Sequence, residues 1–496
     1  MKLRINAVIL LICVAAAATG CKGKAAAPVD NIPAVEKALN DPQSPIYVGF
    51  GDYPDNLKGL PIGVFDSGTG GLTVLEKILS LDNFDNISGS EGSDGILDFA
   101  GEHFIYLADQ ANMPYGVYDA CGKADYLREL VVKDAAFLTG TKYYENAFQE
   151  TPTGTKPRVK IIVIACNTAT AYGLKDVRSM LDQAGKGVKV IGVINAGVNA
   201  VLDQLKDETA PYAIGVLATQ GTIASGAYER TIRESVTERG LKTQVTVVNQ
   251  SGYGFAESVD SEPDYVNVYL NTPRESYRGP KVGTGDADLK EELMGAYNFD
   301  YSENRMLFNV DENGIKTDLQ LNSAINYARF NLVSLVERHR ASGSTVPLKA
   351  VILGCTHYPF LIETLQQVID ELRNYTKDGL KPYAHLIADD FTFIDPAVYT
   401  AIECYNTLRT DGNLAFNIEP MKVNGYISVP SGSLSADKLT PEGNLTYDFK
   451  YGRNAGTDEI TTKQVPFAKS NIDETNLQRI EKLLPYSYSL IAPSML

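Results

Sequence analysis

The sequence predicts an α/β protein of two similar doubly wound domains with a ligand cleft between them, plus a small β-rich C-terminal appendage. Three observations predict it. Four short apolar runs, Pro61 to Phe65, Lys160 to Ala165, Ala213 to Leu217 and Lys349 to Gly354, have the length and Val/Ile content of parallel strands buried on both faces. Each run leads through small or polar residues into a helix-like pattern, the alternation of a fold whose ligands meet the carboxyl ends of its strands. The runs also echo one another. "IGVFDSGTGGLT" at Ile62 is matched by "IGVLATQGTIAS" at Ile214, and "IIVIACNTATA" at Ile161 by "AVILGCTHYPFL" at Ala350.

Residues 1–20 read as a signal peptide: Lys2 and Arg4 precede an apolar run from Ala7 to Ala18, then Thr19 and Gly20 lead to Cys21. The run is about half of the ~20 residues a spanning helix needs. Small residues before Cys21 resemble the lipobox of bacterial lipoproteins, which implies lipidation of Cys21 and an anchor outside the cytoplasm, periplasmic or at the outer membrane. A plain secretory signal is the alternative. Cys21→Ser is expected to move the protein from the membrane fraction to the soluble one, and unchanged membrane association would count against the anchor. Residues 21–60, with Ala, Pro, Asp and Gly frequent, then read as the lipidated cysteine and a tether.

Domain 1 is expected over 61–190 with 380–410, and domain 2 over 191–379. The interval from Gly215 to Cys355 exceeds that from Gly63 to Cys166, so an insertion is assigned to about 260–340, ending in the amphipathic pattern "LNSAINYARFNLVSLVERH". Two shorter turn-rich insertions, "LDNFDNISGSEGSDGILDFAG" and Thr139 to Pro157, read as superficial. Residues 411–496 alternate short segments such as "YISVP" and "LTYDFKYG" with Gly, Asn, Ser and Pro, which gives the β-rich appendage.

A net charge of −16, from 45 basic and 61 acidic residues, leaves no basic footprint for phosphates, so nucleic acid is excluded as a partner. Of six cysteines, Cys13 leaves with the signal and Cys21 is taken by lipid. The remaining four, Cys121, Cys166, Cys355 and Cys404, admit one or two disulfides in an oxidising place.

Cys166 and Cys355 have contexts that point elsewhere. Each follows a buried strand and precedes a helical pattern, a position expected to lower a thiol's pKa. Placed equivalently in two related halves, they would face one cleft from opposite sides. That geometry removes a proton from one face of a carbon and returns one to the other. A thiol hydrolase would leave the second cysteine idle. Zinc would show closely spaced Cys or His pairs, and only Cys355-Thr356-His357 comes near. "DSGTGG" lacks the P-loop Lys-Ser/Thr and the Gly-x-Gly-x-x-Gly spacing, so a nucleotide reading is weak. Asp66 and Ser67 in that turn add a carboxylate and a hydroxyl to the cleft. His103, His339 and His385 carry no motif and read as surface residues.

With these residues in view, "IGVFDSGTGGLTVLEKIL", "ADQANMPYG", "IIVIACNTATA", "SGAYERTIRE", "VILGCTHYPFL" and "IDPAVYTAIE" resemble, in this order, the signature segments of glutamate racemase, within the aspartate/glutamate racemase superfamily. The resemblance runs from about Pro61 to Leu408. It implies that Cys166 and Cys355 are the acid/base pair, that Asp66 assists the first and His357 the second, and that the family's glutamate corresponds by order to Glu257. It also implies that Asp66, Ser67, Tyr115, Gly116, Asn167, Thr168, Thr356 and His357 hold a small acidic amino acid, with no cofactor and no metal; a homodimer is compatible. Aspartate or another amino acid as substrate, or an idle amino-acid-binding lipoprotein, are the alternatives.

The chain departs from the family in three ways. Typical members are cytoplasmic and roughly half this length, where D-glutamate enters cell-wall peptidoglycan. After "VIGVI" they commonly carry an acidic residue and proline, where this chain has Asn195 and Ala196.

Overall fold

A computed structural model describes residues 32–415, 420–472 and 474–491, so the expected signal segment and Cys21 lie outside the described residues. The four apolar runs form strands, and the strands between them complete two parallel sheets. The first half contributes β1 (Ile62–Asp66), β2 (His103–Ala108), a short hairpin of β3 (Lys142–Tyr143) and β4 (Gly154–Thr155), β5 (Ile161–Ile164) and β6 (Lys189–Gly192). The second contributes β7 (Tyr212–Ala218), β8 (Val245–Ser251), a hairpin of β9 (Met306–Val310) and β10 (Lys316–Leu321), β11 (Leu348–Gly354) and β12 (Ile387–Ile394). The C-terminal region adds β13 (Lys422–Pro430) and β14 (Thr462–Pro466).

The sheets run β14-β13-β2-β1-β5-β6 and β12-β11-β7-β8. Setting the C-terminal pair aside, each half has its second strand beside its first, then the third and fourth on the other side. The halves therefore share one topology, as the echo implied. Every residue of β1, β5 and β7 is buried, the environment that branched apolar runs require when helices cover both faces of a sheet. Strand order reverses between β1 and β5 and again between β7 and β11. At such switch points the loops leaving the carboxyl ends diverge and open a crevice. Cys166 follows β5 and Cys355 follows β11.

Several boundaries differ from the sequence reading. The expected tether is structured from Pro33 onward: the helix Pro33–Asn40 buries Ala34, Val35 and Ala38, and Tyr53 donates its hydroxyl to the Val159 carbonyl at 2.6 Å. A lone two-turn helix gives too little periodicity to stand out among Ala and Pro. The stretch 380–410 is divided, since β12 pairs with β11 while the helix Pro396–Thr410 packs Ala401, Cys404 and Leu408 into the first-half core.

The C-terminal region does carry the expected strands. They extend the first sheet, β13 running parallel to β2 and β14 antiparallel to β13, and so cover an edge that would otherwise be open. It also carries the helices Tyr447–Gly452, where the alternation of "LTYDFKYG" had predicted a strand, Glu474–Leu483 and Pro485–Ile491. In the insertion, the helix Ala324–Ala341 is buried over most of its surface. His339 is therefore interior, its Nε2 2.8 Å from the Val346 carbonyl, while His385 is exposed as expected. Among the described residues no helix is long and apolar enough to cross a membrane.

Candidate active site

The first half-site starts at the end of β1. The Asp66 carboxylate accepts the N–H of Gly71 at 2.7 Å and that of Gly68 at 3.4 Å, folding the loop back on itself before the helix Leu72–Leu79 begins. Only glycine fits at 71, where a Cβ would stand 2.3 Å from the Asp66 Cβ. Cys166 caps the helix Asn167–Ala184, its sulfur accepting the Ala169 N–H at 3.4 Å, with Ser67 Oγ at 3.7 Å. Asn167 and Thr168 are the first two residues of that helix, and both are half-buried.

The expected lowering of the thiol pKa does not hold for Cys166. Burial, then the Asp66 carboxylate, push it up to about 12, outweighing the hydrogen bonds of Ala169 and Ser67. Burial likewise raises Asp66 above its ordinary value, against the amides of Gly71, Ser67 and Gly68 and a side-chain hydrogen bond with Cys166. The resting sulfur is thus a protonated thiol hydrogen-bonded to an acidic neighbour.

The second half-site has the opposite surroundings. His357 Nδ1 lies 3.5 Å from Cys355 Sγ, and His357 Nε2 is 3.1 Å from Asp260 Oδ1. Burial works against a charge on this imidazole, but Asp260 and Cys355 outweigh it and push its pKa up to about 10. A cation therefore stands beside Cys355 at neutral pH.

Asp260, at the end of the short helix Phe255–Val259, was not singled out from the sequence; Glu257 was. Glu257 lies on that helix but does not pair with the imidazole. Its charge instead joins burial and Cys355 in raising the buried Tyr358 hydroxyl, whose ring stacks on Phe255 at 4.2 Å. Counting acids along the chain cannot tell which one a half-turn aims at the histidine.

The two half-sites adjoin. Tyr228, on the helix Ala227–Glu238 of the second half, is 2% exposed and donates its hydroxyl at 2.9 Å to Asn167 Oδ1, beside Cys166. Its ring lies against Gly354, beside Cys355. Tyr228 thus links the surroundings of both thiols; it sits inside "SGAYERTIRE", but nothing in that pattern marked it. A Cβ on Gly70 would lie 3.5 Å from Asp66 Oδ2 and 3.7 Å from Thr356 Oγ1, one from each half. Gly116 meets Gly221 of the second half so closely that a Cβ on Gly221 would be 3.3 Å from the Gly116 Cα.

Tyr115 is the exception among the expected substrate contacts. Its hydroxyl is spent on the buried carboxylates of Asp109 and Asp134, and the ring packs in the first-half core. Cys121 and Cys404 are both free: Cys404 is fully buried in the core, whereas Cys121 lies near the Tyr447 hydroxyl. A narrow cavity beside the half-sites, with room for about one water molecule, is lined by Thr69, Gly70, Thr73, Asp260, His357 and Phe360, and also by Ile480, Leu483 and Leu484 from the C-terminal region.

No protein-family model matches the chain. It is 26% identical over 310 residues to the glutamate racemase of Oceanobacillus iheyensis, a match covering 62% of this chain and 72% of that one. It is 34% identical over 213 residues to the glutamate racemase of Limosilactobacillus fermentum, covering 42% of this chain and 62% of that relative. Among solved structures, a glutamate racemase isoform from Bacillus anthracis overlays with a TM-score of 0.42 at 22% identity, covering 77% of this chain and 92% of that one.

Proposed function

We propose that this chain, a homologue of the glutamate racemases within the aspartate/glutamate racemase superfamily, racemises an acidic amino acid, glutamate first, with Cys166 and Cys355 working without a cofactor on opposite faces of the α-carbon. The observation that carries the reading is the equivalence of the two thiols: each follows the third strand of its half at a switch point, and Tyr228 adjoins both. An α-proton is a weak acid, and without an electron sink each face needs its own base and the developing anion needs fixed dipoles.

The two surroundings suit complementary roles. Cys166, held as a thiol against Asp66, is set to donate, and Asp66 is the group that takes its proton when the direction reverses. Beside Cys355, the His357 cation favours a sulfur set to accept a proton, and Asp260 holds that imidazole. The first N–H groups of the helix Asn167–Ala184 have no intrahelical partner, so those of Asn167 and Thr168 offer a seat for the substrate carboxylate. Ser67 and Thr356 supply further donors. With the leader 1–20 cut before Cys21, the same reading carries export and a lipid anchor.

Circular dichroism of L-glutamate and of L-aspartate incubated with the purified, reduced protein tests the reading. Decay of the signal to zero is expected, fastest with glutamate. An unchanged signal with every acidic amino acid would sink it, and binding without decay would favour an idle binding protein.

A further inference from the structure

We propose that the C-terminal helix Glu474–Leu483 is part of the substrate site, with Ile480, Leu483 and Leu484 forming the apolar wall that limits how large a substrate the cleft accepts. This rests on the racemase reading for the substrate but not for the wall. The narrow cavity is polar where Thr69, Gly70, Thr73 and the His357–Asp260 pair line it, and what little room it leaves is set by the rest of its lining. The rest is apolar: Phe360 with Ile480, Leu483 and Leu484. These side chains have nothing to offer a charge or a hydrogen bond. They exclude water and set a steric limit.

The wall is fixed to the catalytic loop. The N–H groups of Tyr486 and Ser487, at the start of the helix Pro485–Ile491, donate to the two oxygens of Glu76 at 3.0 and 2.7 Å, and Ser487 Oγ donates to the Leu72 carbonyl at 3.4 Å. Leu72 and Glu76 lie on the helix that continues directly from the Asp66 loop. Ile480, Leu484 and Ile491 are buried in the first-half core. A displacement of these helices therefore also disturbs the segment that positions Asp66.

Leu483 is the residue to vary, because it is only half-buried at the margin of the core, where a change of volume costs less than at the buried Ile480 or Leu484. In the full chain, Leu483→Ala is expected to raise kcat/KM for a longer acidic amino acid, L-2-aminoadipate, relative to glutamate by about tenfold, the discrimination that one apolar contact commonly gives. Leu483→Phe should shift the ratio the other way. Alkylation by iodoacetamide, read by mass spectrometry at each cysteine, should be faster at Cys355 in the first variant and slower in the second. If both variants keep the wild-type substrate ratio and the wild-type alkylation rate at Cys355, with unchanged melting temperatures, the wall has no such role. If wild type racemises nothing, the functional reading fails and alkylation still decides about the wall.

Discussion

Cys166→Ser and Cys355→Ser are each expected to lower racemisation by about 10²–10⁴-fold, the contribution of a positioned acid or base. A serine hydroxyl neither loses a proton as a thiol does nor returns it on the opposite face. Each variant nevertheless keeps one working half-site: Asp66 with Cys166, or His357 and Asp260 with Cys355. With an analogue bearing a leaving group on the β-carbon, elimination needs proton removal from one face only. The two variants should then process opposite enantiomers, as chiral chromatography of the residual substrate would reveal. Normal racemisation in both, or elimination from the same enantiomer in both, is incompatible with two bases. A disulfide or sulfenic acid at either thiol should silence racemisation until a reductant is added.

Asp260→Asn is expected to lower kcat/KM by about 10²-fold in both directions, since each uses Cys355 as acid or as base, whereas Glu257→Gln leaves it near wild type. The contrast follows from geometry: Asp260 holds His357 Nε2 at 3.1 Å, and Glu257 does not pair with it. The ion pair also ties stability to pH. Its imidazole pKa is raised from 6.5 to about 10, with burial opposing and Asp260 and Cys355 prevailing, so its stabilisation is complete below about pH 6.5 and disappears as pH rises through 10. With side chains 19% and 24% exposed, it amounts to at most about 3 kcal/mol. Melting curves of wild type and Asp260→Asn should therefore differ most at acidic to neutral pH and converge near pH 10. A constant gap across that range would mean that His357 is not charged by Asp260.

What the sequence made legible was whatever a single run of residues encodes. β1, β5, β7 and β11 are near-continuous apolar runs because helices cover both faces, and the cysteines at the ends of β5 and β11 inherit their places from those strands. The echo between halves carried the shared topology. Properties set by depth and by distant partners were not legible. The direction of the Cys166 shift depends on burial beside Asp66, the fate of the Tyr115 hydroxyl on Asp109 and Asp134, and the partner of His357 on how one short helix ends. The helices after Leu445 were read as part of a β-rich appendage because they are brief and the hydrogen bonds that seat them on the first half come from residues hundreds of positions earlier, Leu72 and Glu76.

The pairing of β13 with β2 also sets an order of assembly. All four strands of the second sheet lie between Tyr212 and Ile394, so that sheet holds every strand it needs once β12 has left the ribosome. The first sheet begins with Ile62 but cannot cover the open side of β2 until Lys422 to Ile427 have been made. The half that is synthesised first is therefore the one completed last, and a chain interrupted before Lys422 ends with an unprotected sheet edge, the kind of surface on which growing chains associate with one another.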